Sequence, residues 1–217
     1  MFVPMMSDAV SNRTRRDARE RLLKASFAVI REKGFAGTSV DDLCRAAGVT
    51  KGAFFHHFAS KDDLGVAAAD YWSEVTSALF AGARYHEHAD PLQRVLGYID
   101  FRDGLLRGAV PEFTCLVGTM VQETYDTSPA IREACAASIC GHALTLEPDI
   151  AEARLRYGIK GDWTARDLGL HTQAVLQGAF ILVKATGDVE IARASVAHLR
   201  RYVELLFGKA KTKEETS

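Results

Sequence analysis

The stretch that decides the fold is Thr38 to Lys61, which reads TSVDDLCRAAGVTKGAFFHHFASK. Ser39 and, three residues later, Asp42 form the pattern of a helix that begins with a reciprocal capping box. Gly48 predicts the end of that helix, because glycine adopts a left-handed backbone without strain. Thr50 predicts the N-cap of a second short helix. Two helices joined by such a turn indicate a helix-turn-helix, whose second helix lies in the DNA major groove.

Residues 14–64 resemble the DNA-binding head of the TetR family of bacterial transcriptional regulators. The resemblance rests on a few segments: Gly34-Phe35, Thr38-Ser39-Val40, Ala47-Gly48-Val49-Thr50-Lys51-Gly52, Phe58 and Lys61-Asp62-Asp63-Leu64. The rest of the chain matches the family in layout alone. Phe55 departs from the family, which usually has a tyrosine there whose hydroxyl contacts a DNA phosphate. This departure shifts the expected anchoring toward His56 and neighbouring groups.

Two sets of residues in the motif are predicted to contact DNA. The predicted phosphate anchors are Thr38, Ser39, His56 and Lys61. The residues predicted to face the groove are Thr50, Lys51, Gly52, Ala53 and Phe54. Lys51 can donate to the acceptor edge of guanine, and a small residue at positions 52 and 53 lets the backbone approach closely. Phe54 either contacts a thymine methyl group or belongs to the core.

The charge distribution supports a nucleic-acid partner, although the net charge is only −1. Residues 1–61 hold eleven Lys and Arg against six Asp and Glu, a net charge of +5, so the remainder carries −6. A basic head on an acidic body directs DNA to one end of the chain. Arg13, Arg15 and Arg16 are either a solvated face or an arm that contacts phosphates or the minor groove.

The composition is that of a globular protein, with 47% hydrophobic and 25% charged residues. No apolar run reaches the roughly 18 residues that cross a bilayer, so we expect no membrane partner and a cytoplasmic location. The four cysteines lack Cys-x-x-Cys spacing. His86-Glu87-His88 lacks a third ligand at a fixed spacing, so we expect a polar loop and neither metal nor cofactor.

Helical periodicity throughout predicts an all-α fold of about nine helices. These comprise a three-helix head, residues 1–60, and a body for effector binding and dimerisation, residues 61–217. Within the head, residues 1–12 are predicted to be disordered and the first helix to begin at about Arg13. The sixth helix is predicted from Pro111 to about Tyr125, and the seventh from Ser128 to about Arg156 with a kink at Pro148.

The last two predicted helices carry more apolar surface than one core face needs, which predicts a partner. In the TetR family the corresponding helices form a four-helix dimer interface, and the resemblance implies a homodimer here. The alternative is a helical monomer with a thicker core. The predicted interface residues are Leu176, Ala179, Phe180, Val183, Leu199, Tyr202, Val203 and Leu206.

The resemblance also implies a ligand cavity in the body. The candidate lining residues are Trp72, Tyr98, Phe101, Phe113, Cys115, Met120, Glu123 and His142. The aromatic character of this set predicts a small, largely apolar effector, oriented by a few polar groups such as Arg102.

Together these features predict a ligand-responsive transcriptional repressor that leaves a palindromic operator when its effector binds. The alternative is a regulator that senses thiol-reactive or electrophilic compounds through Cys115, which begins a predicted helix in a Cys-Leu-x-Gly segment similar to that of some family members. An enzyme is not expected, because no residues have the spacing of a catalytic triad or a nucleotide loop. An acidic body argues against a non-specific DNA-organising protein.

Overall fold

Every regular element in the structure, a computed structural model that describes the backbone of residues 6–208 and the side chains of residues 17–208, is a helix. This confirms the all-α prediction. In chain order the elements are α1 (Met6–Lys33), α2 (Val40–Ala47), α3 (Lys51–His57), α4 (Lys61–Ala81), a 3-10 helix (Arg84–Glu87), α5 (Pro91–Gly104), α6 (Val110–Phe113), α7 (Leu116–Thr124), α8 (Pro129–Leu144), α9 (Glu147–Arg156), α10 (Ala165–Thr186) and α11 (Val189–Leu206).

Three boundaries differ from those predicted. The first helix begins at Met6 instead of Arg13, while residues 1–5 lie outside the described part. The predicted sixth helix is divided into α6 and α7, because Thr114 is extended and Cys115 caps the second piece. The predicted seventh helix is divided into α8 and α9. Pro148 lies in the first turn of α9, where its missing N–H has no helical partner to lose, so a new helix begins there instead of a kink.

Of the residues that the structure describes, the first of two compact units comprises residues 6–75 together with Cys115–Ser138. Its core forms where α1, α2 and α3 pack together and where α7 packs against α1. Leu22, Leu43 and Phe54 are fully buried there. The short helices of the motif are therefore stabilised by a shared apolar centre rather than by their own length.

Of the residues that the structure describes, the second unit comprises Thr76–Thr114 and residues 139–208. In it α5 packs against α9 and α11, and α10 packs against the same two helices. Arg94 of α5 donates to the Asp149 carboxylate of α9 at 2.7 Å. Gly169 permits a close helix crossing, because a Cβ atom there would lie 2.8 Å from the Ala143 carbonyl oxygen.

This grouping differs from the predicted division at residue 60, since residues 61–75 and 115–138 pack with the helix-turn-helix. The predicted functional division remains a prediction. None of the described helices combines the length and apolar character that crossing a bilayer requires.

Candidate nucleic-acid interface

The start and end of α2 follow from local hydrogen bonding, as predicted. The Asp42 amide donates to Ser39 Oγ at 3.1 Å, and the Ser39 amide donates to Asp42 Oδ2 at 3.1 Å. The bonds from Ser39, followed by the one from Lys33, hold the pKa of the Asp42 carboxyl well below its usual range. Gly48 ends the helix in the left-handed region, with φ of 63°. The capping box and the glycine stop are confirmed.

The helix predicted to enter the groove, α3, presents one polar and one apolar side. The Ala53 amide donates to Thr50 Oγ1 at 3.1 Å, which confirms the predicted cap. Lys51, Gly52 and His56 are exposed. Phe54 is fully buried and therefore belongs to the core, which corrects its placement among the DNA contacts. The large apolar side chain that α3 exposes is Phe55, 55% accessible.

Thr38 also differs from its predicted role. Its side chain is only 2% exposed, and Oγ1 donates to the Gly34 carbonyl at 2.6 Å. The hydroxyl is therefore committed to the turn between α1 and α2 and does not reach a phosphate.

Lys61 binds that same turn from the start of α4. Its Nζ donates to the carbonyl oxygens of Phe35 and Thr38, each at 3.0 Å, and lies 4.6 Å from the centroid of the Phe35 ring. A phosphate contact by Lys61 remains a prediction. In the protein without DNA, this ammonium stabilises the loop.

Lys51 forms an ion pair that is not evident from the sequence. Its Nζ lies 3.0 Å from the Asp41 carboxylate of α2, and both side chains are more than half exposed. Exposed pairs contribute at most about 1 kcal/mol. Lys51 can therefore exchange Asp41 for an acceptor on DNA at little cost.

The predicted arginine arm is described only in its backbone. Arg13, Arg15 and Arg16 lie on α1, and their side chains are outside the described residues. Further along α1, the Arg19 guanidinium lies 5.6 Å from the Phe58 ring centroid, and Arg21 donates to the Gly48 carbonyl at 3.4 Å.

Glu123, a predicted pocket residue, instead binds the loop that leads into the motif. Its carboxylate accepts the Ala36 amide at 2.6 Å. Gly34 makes room for this contact, since a Cβ atom there would lie 2.3 Å from Glu123 Oε1, and its φ of 81° also favours glycine. The end of α7 is thus joined directly to the segment between α1 and α2.

The other predicted pocket residues fall into two groups, one in each compact unit. In the first unit, Trp72 packs edge-on against Phe27 of α1 at 5.1 Å between ring centroids, and Met120 is fully buried. Cys115 is half-buried, and its Sγ accepts the Gly118 amide at 3.4 Å.

In the second unit, predicted pocket residues meet around a buried hydroxyl. Tyr98 is fully buried, and its hydroxyl lies 3.0 Å from His142 Nε2. The Gln173 amide donates to the same oxygen at 2.9 Å, a contact that sequence reasoning missed because the two residues are 75 positions apart. Burial, and then the positive Arg102, lower the pKa of His142 to about 4.

Phenylalanine rings surround this network. The Phe80 centroid lies 4.4 Å from His142 and 5.3 Å from Phe101. The Phe113 ring centroid lies 6.4 Å from that of Phe180, a residue predicted for the dimer interface. The second unit therefore brings together Tyr98, Phe101, Phe113 and His142 of the predicted set.

Most of the predicted dimer residues are covered by their own chain. Leu176, Ala179, Phe180, Val183, Leu199 and Val203 are buried. Tyr202 is 43% exposed, and Leu206 is half-buried. The large apolar side chains that α10 and α11 expose are Ile181, Leu182, Tyr202 and Leu205. Among the described residues, no group of three or more His, Cys, Asp or Glu is placed to hold a metal ion.

Two family models match the chain. Residues 22–68 match the model of bacterial regulatory proteins of the tetR family. Residues 91–198 match the C-terminal domain of transcriptional regulators similar to LmrA and YxaF. The two matches correspond to the helix-turn-helix and to the helical body.

Transcriptional regulators that are similar to this chain match it over different lengths. The transcriptional regulator AcuR of Cereibacter sphaeroides is 31% identical over 112 residues, which are 49% of this chain and 48% of that protein. The chain thus spans about half the length of AcuR. The transcriptional repressor NemR of Escherichia coli K12 is 24% identical over 205 residues, 89% of this chain and 98% of NemR.

Solved structures share the fold. A TetR transcriptional regulator from Chloroflexus aurantiacus aligns with a TM-score of 0.75 and 26% identity, over 88% of this chain and 96% of that one. The reduced form of E. coli NemR aligns with a TM-score of 0.74 and 22% identity, over 85% of this chain and 96% of that one.

The two lysines of the motif should respond differently to substitution. We expect Lys51→Ala to lower affinity for a duplex selected in vitro by about 1–3 kcal/mol while leaving the melting temperature unchanged. Lys61→Met should lower the melting temperature, because it removes two hydrogen bonds to loop carbonyls. Fluorescence anisotropy measures the affinity for the selected duplex and for a scrambled duplex, and calorimetry measures the melting temperature. An equal loss on both duplexes would show that Lys51 contacts only phosphate.

Proposed function

The chain belongs to the TetR family of bacterial transcriptional regulators, and from that premise we propose a homodimeric repressor that a small, largely apolar effector releases from a palindromic operator. As in its family, the chain is a DNA-binding regulator and not an enzyme. The observation that carries the release mechanism is the bond between Glu123 and the loop before α2.

The dimer part of the proposal rests on an apolar face of α10 and α11. Ile181 and Leu182 are 48% and 49% exposed, and Tyr202 and Leu205 are 43% and 60% exposed. Beside them Gly178 has open space, so another backbone can approach. Covering such a face on a second copy removes its apolar area from water. Two helix-turn-helix motifs one DNA turn apart, about 34–36 Å, then read a palindrome.

Substitution on this face tests both the dimer and the operator. Ile181→Asp and Leu205→Asp should each raise the dimer dissociation constant at least tenfold, about 1.4 kcal/mol, because a carboxylate would be buried against apolar groups. Sedimentation equilibrium measures this constant. In footprinting on DNA upstream of the protein's gene, the native protein should protect two half-sites together. Each variant should protect the half-sites only weakly and separately. Leu155→Asp is the control, since Leu155 is 84% exposed on α9. A dimer unaffected by either α10 or α11 substitution would contradict the proposal.

The proposed release works through α7. This helix begins at the Cys115 cap, and its last turn carries Glu123. A carboxylate that accepts a backbone amide forms a charge-assisted bond, which is stronger than a neutral one. A shift of α7 would therefore move the loop that positions α2 and α3. α4, which continues from Lys61 to Ala81, is the second proposed link. The effector changes DNA affinity only by its differential affinity for the two arrangements.

Removing the Glu123 carboxylate should weaken this link. We expect Glu123→Ala to lower operator affinity by about 1.5–3 kcal/mol, because the loop before α2 loses a hydrogen bond to a charged group. Glu133→Ala, on the exposed surface of α8, is the matched control for the loss of a negative charge. Fluorescence anisotropy titrations with operator DNA at two salt concentrations distinguish the effect of the lost hydrogen bond to the loop from the effect of the lost negative charge. If both variants bind the operator equally well, α7 does not position the motif.

A second candidate function is sensing of electrophiles through Cys115. The half-buried thiol caps the helix that carries Glu123, so its modification would act on the same connection. One similar structure is described as the reduced form of NemR. Cys135 is a poor alternative, because burial, and then the neighbouring Cys115, raise the pKa of its thiol to about 12.

The thiol hypothesis predicts that a quinone, an aldehyde or hypochlorite releases the native protein from DNA, whereas Cys115→Ser stays bound. Cys140→Ser is the control, since Cys140 is an exposed thiol on α8. Mass spectrometry identifies the modified residue, and anisotropy measures release. Equal release of Cys115→Ser and the native protein would rule out this function for Cys115.

A further inference from the structure

Arg102 of α5 is a half-buried cation among aromatic rings. Its Cζ lies 5.4 Å from the Phe80 ring centroid and 5.9 Å from that of Phe180. Among the described residues, no carboxylate lies within ion-pair distance of its guanidinium. The adjacent Asp103 faces Arg193, with 3.9 Å between the charged atoms. A cation withdrawn from water is costly unless an anion pairs with it.

The polar groups beside Arg102 are neutral. The Gln173 amide donates to the Tyr98 oxygen, so the single Tyr98 hydroxyl proton is free to be donated to His142 Nε2. Burial raises the pKa of the Tyr98 hydroxyl, while the positive charge of Arg102 opposes that rise. His142 is then an uncharged acceptor at Nε2, and burial together with Arg102 keeps its pKa near 4. The cluster therefore supplies hydrogen bonds around the guanidinium but no compensating negative charge.

We infer that Arg102 is the anion-binding group of the effector site and that the effector is a small aromatic carboxylate. This inference rests on the proposed ligand-responsive function. A carboxylate matches the planar, two-pronged donor geometry of a guanidinium. An aryl group matches the surrounding rings, because Phe80, Phe101, Phe113 and Phe180 offer faces and edges for stacking.

The test compares acids with their uncharged amides. Benzoate, phenylacetate and cinnamate, each paired with the corresponding amide, are titrated by calorimetry into the full-length protein near neutral pH. We expect at least one acid to bind at least tenfold more tightly than its amide, and Arg102→Gln to remove that preference. Arg107→Gln is the matched control, since Arg107 is exposed and lies in the segment that follows α5. Melting temperature and dimer mass establish that both variants are folded.

Release from operator DNA separates this inference from the proposed function. If an acid releases the native protein but not Arg102→Gln, both are supported. If a neutral aromatic amide releases DNA as well as its acid does, the repressor function stands and the anion-binding role of Arg102 is wrong. If the acids bind through Arg102 without changing DNA affinity, the site is supported and effector control by this route is wrong. If no acid in the panel binds more tightly than its amide, the inference is overturned.

Discussion

Two opposite charges hold the short loop between α1 and α2, and the placement of the DNA-binding motif depends on them. The Glu123 carboxylate accepts the Ala36 amide, while the Lys61 ammonium donates to the carbonyl oxygens of Phe35 and Thr38. A loop of this kind has backbone groups that no helix satisfies, and unpaired polar groups are costly when shielded from water. The ions that satisfy them come from α7 and α4. The orientation of α2 and α3 is therefore tied to two helices outside the motif.

Glycines make this arrangement possible at two points. Gly34 leaves room for the Glu123 carboxylate, and Gly65 lets Phe35 and Ile131 approach α4, because a Cβ atom there would lie 2.9 Å from the Phe35 ring. Closely packed protein interiors transmit a displacement to the groups that they contact. The release that we propose for this protein needs such a rigid connection. In the second unit, by contrast, polar groups meet around Tyr98 in a network whose charge is unbalanced at Arg102.

Local signals in the sequence were reliable wherever the structure depends on neighbours within a few residues. The capping box at Ser39 and the left-handed stop at Gly48 formed as their spacing indicates. The same local signals did not predict which phenylalanine of the short helix α3 is buried. Phe54 and Phe55 are adjacent and chemically identical, and packing against Phe58 buries the first while the second remains exposed. In α10 and α11 the apolar excess was evident, but packing against α5 and α9 determined which side chains remain exposed.

By itself, then, the sequence determined the all-helical fold, the helix-turn-helix and its limits, and the division of charge between head and body. Each of these follows from residue type and short-range spacing. Only the tertiary structure decided that Thr38 and Lys61 serve the loop, that Glu123 joins α7 to the motif, and that Gln173 completes the network around Tyr98. Those contacts join residues that are far apart in the chain. The position of a residue in the sequence does not reveal which distant group its side chain will hydrogen-bond.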